Sequence, residues 1–151
     1  MIRAWQPFDW PAISGMLAEF LHASVQRGGD VLPTERNVRM LWSIGLGWAA
    51  AGQPTLLAED DTGVLGYVQW GWLDSPFDVR WRTCHAMGSF TRADVRGLGI
   101  AGTLRLRAKG MCAEAGIERV VGPVHLSNPR GVAEFIRQGA WPTTVQMELL
   151  V

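Results

Sequence analysis

The sequence predicts a mixed α/β domain of the α+β type, with an antiparallel N-terminal meander, then a β-α-β-α-β segment, and helices on both faces of one central sheet. Three observations carry this. Apolar residues recur at helical spacing early in the chain, as at Ile13, Met16, Leu17, Phe20 and Leu21. The run "TLLAEDDTGVLGYVQW" puts turn residues between two strand-like stretches, a hairpin signal. A glycine-rich run, "RGLGIAG", then opens a helix between two further strands, which makes a β-α-β crossover rather than uniform alternation.

Each element follows from its residues. "MIRAW" reads as a short strand. Residues 8–23 read as a helix, with Asp9 as its N-cap and Pro11 in its first turn. After the loop "RGGDVLP", Thr34 caps a second helix that runs to about Ala51 and ends near Gly52 and Pro54. Residues 55–59, 60–63 and 64–73 are strand, turn and strand, "DSPFD" is a turn, and residues 80–91 are the third strand of the meander. The polar link "RADV" leads into the glycine run and a helix to about Ala115, stopped by Gly116. "ERVVGPVHL" holds a short strand, residues 128–139 a helix with terminal Gly139, and "TVQMELLV" a closing strand.

Composition narrows the function. The chain has 151 residues, and no internal repeat or low-complexity linker divides it, so a single domain over residues 1–151 is expected. Hydrophobic content is 48% and charged content 19%, ordinary for a globular chain. Formal net charge is zero, which argues against a nucleic-acid partner. Cys84 and Cys112 show neither paired spacing nor a Cys/His metal pattern, so no metal and a reduced, cytoplasmic setting are expected. No signal peptide and no span of membrane length is visible.

The glycine run bears two readings. Gly97, Gly99 and Gly102 spell G-x-G-x-x-G, the dinucleotide fingerprint. Three features count against it: the polar segment Arg92 to Arg96 separates strand from glycine; Glu118 has the spacing of the ribose-binding acid but precedes its strand; and the chain after His125 is too short for a second half-sheet. The other reading takes Arg96, Gly99 and Ala101 as R-x-x-G-x-A. Here "TRADVRGLGIAGTLRLRA" resembles the phosphate-loop segment of the GNAT superfamily of N-acetyltransferases. "VHLSNPRGVAEFIRQGAW" resembles the strand, asparagine, helix and Gly-aromatic ending of the same family, and the resemblance spans essentially the whole chain.

The resemblance implies the GNAT-like mixed central sheet and an N-acyltransferase using acetyl-CoA as acyl donor, with a primary amine as acceptor and direct attack on the thioester. It implies a monomer or homodimer with no membrane or nucleic-acid partner. Gly97, Leu98, Gly99, Ile100, Ala101 and Gly102 would lay backbone N–H groups around the pyrophosphate at a helix N-terminus, and Arg96 would add charge. Backbone around Phe90 and Thr91 would pair with the pantetheine arm, and Asn128 would face its other side. Asn128 before Pro129 is equally a helix N-cap.

The catalytic groups are less standard. The family's usual acid, a tyrosine four residues before the helix-ending glycine, is replaced by Phe135, which keeps only a cofactor-facing place. The only tyrosine is Tyr67, in the early hairpin. A strand position six residues before Thr91, where relatives place a basic carboxylate, holds His85, and imidazole can accept a proton at neutral pH. His125 is the second candidate. Either could instead be an ordinary hydrogen-bonded strand histidine. Cys84 beside His85 points to the opposite face of its strand and makes no nucleophile pair. Trp70 and Trp72 share a strand face and, with Trp81, are either core or an aromatic wall for the acceptor. The missing tyrosine keeps open a catalytically weak acyl-CoA-binding module on the same fold.

Overall fold

The computed structural model describes residues 1–73, 82–125 and 127–143. Five strands form one sheet in the order β1 (Ile2–Ala4), β2 (Thr55–Asp60), β3 (Gly63–Gly71), β4 (Thr83–Thr91) and β5 (Arg119–Val121). The first three pairings are antiparallel and the last is parallel. The helices are α1 (Trp10–Val25), α2 (Glu35–Ala50), α3 (Ile100–Glu114) and α4 (Pro129–Arg137). This is the expected mixed architecture. The proposed closing strand and Trp81 fall outside the described residues.

The strand period sorts the core into two layers. Leu57 and Tyr67 face α1 and α2, packing with Trp5, Ile13, Leu17, Leu21 and Val38. Their strand neighbours Leu56, Ala58, Val68 and Trp70 face α3 and pack with Cys84, Ala86, Leu104, Ala108 and Cys112. Trp70 is 4% exposed, so it is core and not a wall for a ligand, and Trp72 packs partly buried against the same cluster.

Local chemistry sets most ends. Thr34 Oγ1 accepts from the Asn37 N–H at 3.3 Å, capping α2 as expected. Gly116 and Gly139 stand at φ +67° and +83° just past α3 and α4. Asp9 departs from expectation. It stands at the N-cap position of α1, but its side chain makes no cap bond; it is buried, accepting two 2.7 Å bonds from Arg3 and one from the Gln6 N–H. A short 3₁₀ turn, Pro7–Asp9, intervenes, and the guanidinium outcompetes the helix for the carboxylate. Burial works to raise the Asp9 pKa, but the bonds from Arg3 and Gln6 prevail and hold it below the ordinary carboxylate range.

Candidate active site

The site lies where β4 loses its outer partner. β5 pairs with it only at Thr83–Arg119, Cys84–Val120 and His85–Val121. A Cβ on Gly122 would lie 2.9 Å from the Ala86 carbonyl oxygen, so only glycine lets the two chains pass here before they part. β4 continues to Thr91 with its outer edge unpaired among the described residues. Along this stretch the register with β3 slips. Ala86 partners Trp70 but Gly88 partners Gln69, which leaves Met87 as the extra residue of a bulge.

The direction of the free backbone groups follows from the pairing alternation. The Arg92 N–H donates to the Leu65 carbonyl at 2.9 Å, and the Phe90 carbonyl crowds Gly66. Phe90 therefore turns its polar groups to β3, and Ser89 and Thr91 turn theirs to the gap. Of the two residues expected along the arm, Thr91 thus turns its backbone to the gap and Phe90 to β3, and Ser89, which the sequence did not single out, shares the orientation of Thr91. The Phe90 ring instead stacks on Tyr67 at 6.4 Å and lies 5.4 Å beneath the Arg96 guanidinium.

The gap leads to the glycine loop. Gly97 and Gly99 adopt φ +87° and +80°, and a Cβ on either, or on Gly102, would meet nothing within 4 Å. The left-handed backbone, not close packing, requires glycine at the first two. Gly99 is the N-cap of α3, and the Thr103 N–H donating to the Gly99 carbonyl is the first helical bond. The N–H groups of residues 97–102 thus have no acceptor among the described residues. Ile100 packs on the core, while Leu98 is exposed. Arg96 Nε donates to the Thr91 carbonyl at 3.0 Å, which ties loop to strand and leaves the charge at the surface. Arg92 is committed elsewhere, to Asp94 at 2.7 Å and to Thr62.

Unpaired N–H groups converging at a helix N-terminus suit a pyrophosphate. An unpaired strand edge suits an extended amide chain.

The histidines occupy different places. His85 is exposed on β4 at the point where β5 departs, and Cys84 and Ala86 on either side of it are buried against α3. His125 lies four residues beyond Val121, the partner of His85, which is about 13 Å along an extended chain. It stands beside Gly28 in the loop after α1, where a Cβ would be 3.5 Å from its Nδ1. Ser127 fastens the same segment by donating to the Arg27 carbonyl. Asn128 Oδ1 accepts from the Gly131 N–H at 3.1 Å, so its capping role is realised. Phe135 is half-buried on α4, which Arg105 of α3 holds through Glu134 at 2.9 Å. Tyr67 is sealed under Trp5 and Phe90; its hydroxyl has no hydrogen-bond partner among the described residues, and burial pushes its pKa up.

Trp48 was not singled out by its sequence context. Its indole lies on Gly71 so closely that a Cβ there would come 2.1 Å from Cδ2. Gly71 is the cross-strand partner of His85, so Trp48 and His85 border the same face. Among the described residues, no cluster of three or more metal-ligating side chains occurs, and no helix is long and apolar enough to cross a membrane.

Solved structures share this architecture. The BH1408 protein of Bacillus halodurans, solved as a mutant, superposes with a TM-score of 0.79 at 18% identity, covering 100% of this chain and 99% of that one. A ribosomal-protein-alanine N-acetyltransferase from Brucella melitensis gives 0.72 at 22% identity, covering 92% and 83%. An aminoglycoside acetyltransferase from an uncultured soil metagenomic sample, in complex with sisomicin, gives 0.65 at 14% identity, covering 100% and 95%. No family model and no curated protein sequence matches the chain. The fold is that of GNAT-type acetyltransferases.

Proposed function

We propose that this chain is an N-acyltransferase that moves an acetyl group from acetyl-CoA to a primary amine. The observation that carries the reading is the run of N–H groups at residues 97–102, without an acceptor among the described residues, opening α3 beside the edge of β4, likewise unpaired among them. Acetyl-CoA supplies an acyl group activated as a thioester. The protein's own groups bind and orient it: the loop and Arg96 at the phosphates, Ser89 and Thr91 along the arm, and α4 with Asn128 and Phe135 on the far side. Nitrogen of the neutral amine forms the new C–N bond as the C–S bond breaks, and coenzyme A departs as thiolate. The nitrogen's surplus proton passes to His85, directly or through water. His125 is the second candidate for that role.

A second reading, an acyl-CoA-binding module with little turnover, is favoured by one observation. Phe135 has no proton to give, and Tyr67 is buried away from the gap. Calorimetry with acetyl-CoA, followed by coenzyme A release measured over an amine panel, separates the two. Binding with turnover supports the enzyme, binding without turnover the module, and absence of binding overturns both.

A further inference from the structure

Resting on the acyltransferase reading, we infer that the acceptor is an amine carried on an aromatic body, and that Trp48 selects it. Trp48 is half-buried on the last turn of α2, and its fused ring system covers the backbone of Gly71. His85 is the neighbour of Gly71 across β3 and β4 and is exposed on that face. Trp48 and His85 therefore border the same face of the sheet where β5 leaves β4, with the partly exposed Met87 of the bulge further along β4.

The described segments that carry Trp48, Gly71 and His85 are themselves uncharged. Residues 40–52, 64–73 and 83–91, which supply α2 from Met40 onward, most of β3 and all of β4, contain no Asp, Glu, Lys or Arg. A polycationic acceptor finds no carboxylate on these segments to replace its lost hydration. A flat apolar ring has an indole to stack on, a contact worth about 0.5–1.5 kcal/mol beyond area burial. With the ring on Trp48, an amine one or two carbons away reaches toward His85 and the end of the β4–β5 pairing. Gly71 maintains the platform, because any side chain there would displace the indole.

The experiment compares 2-phenylethylamine with spermidine on the wild type, Trp48→Ala and Trp48→Phe, by coenzyme A release and by calorimetric titration of each amine into protein saturated with coenzyme A. The wild type should favour 2-phenylethylamine in kcat/KM. Trp48→Ala should raise its KM and Kd about tenfold, ~1.4 kcal/mol, with acetyl-CoA affinity unchanged. Trp48→Phe should restore most of the loss. Preference for spermidine, or equal effects of Trp48→Ala on both amines, overturns the assignment while the acyltransferase stands. Loss of acetyl-CoA binding in the wild type overturns the acyltransferase and this inference with it.

Discussion

Gly71 and Trp48 compete for one space: the missing Cβ of the glycine would fall 2.1 Å from Cδ2 and 2.5 Å from Cε2 of the indole. Gly71→Ala should therefore overpack the junction of β3 and α2, at a cost of about 1–3 kcal/mol. Denaturant melts check the loss. A melt identical to wild type would mean that the indole moves aside without penalty.

The loop separates stability from binding. Gly102 is the third residue of α3, and a Cβ there meets open space. Gly102→Glu should raise the melting temperature, because an acidic side chain in a first turn stabilises a helix by about 0.3–1 kcal/mol. The same carboxylate would occupy the field of the unpaired N–H groups. Acetyl-CoA affinity should fall more than about tenfold by calorimetry, over ~1.4 kcal/mol. Unchanged affinity would remove the loop from the binding surface.

His85→Ala should lower turnover roughly 100-fold, the scale of a general base, with acetyl-CoA affinity unchanged. Steady-state rates with a saturating amine measure it. A comparable loss in His125→Ala alone would transfer the role to the segment beside Gly28.

Asp9 ties α1 to the sheet edge through Arg3, which also bonds Glu59 at 2.7 Å. Its pKa is depressed on folding, so its contribution is fully present above the unfolded carboxylate value of about 3.9 and is lost as pH falls through the lower folded value. Asp9→Asn should cost about 1–3 kcal/mol at neutral pH. It should also flatten the acid limb of stability, read as melting temperature between neutral and strongly acid pH.

Cys84 and Cys112 are buried in the same cluster, and contact with Cys112, together with burial, pushes the Cys84 thiol well above its ordinary range. Ellman's reagent should find neither thiol in the native protein and both in denaturant. The thiol that appears during turnover is then coenzyme A alone.

Much of this fold was legible along the chain because its signals are local. Thr34 before α2, the turn at residues 60–63 and the two left-handed glycines before α3 each act within a few residues of themselves. The glycine loop could be located for the same reason: strained backbone demands a residue type whatever packs around it. Asp9 misled because its position suits an N-cap, and its true partner, Arg3, arrives from the sheet edge.

The sequence by itself determined the order of the described elements, the meander, the crossover and the place of the glycine loop, since periodicity and turn chemistry are properties of neighbouring residues. Only the tertiary structure decided which tryptophan serves which layer. Trp70 and Trp48 are equally apolar on paper, but strand register sends one beneath α3, while helix packing lays the other on Gly71 beside His85. It also decided that Ser89, not Phe90, turns its backbone to the gap, because that direction depends on which residues of β3 and β4 pair across the sheet. Contacts between residues distant in sequence depend on how helices and strands register against one another, and no short window of the chain contains that information.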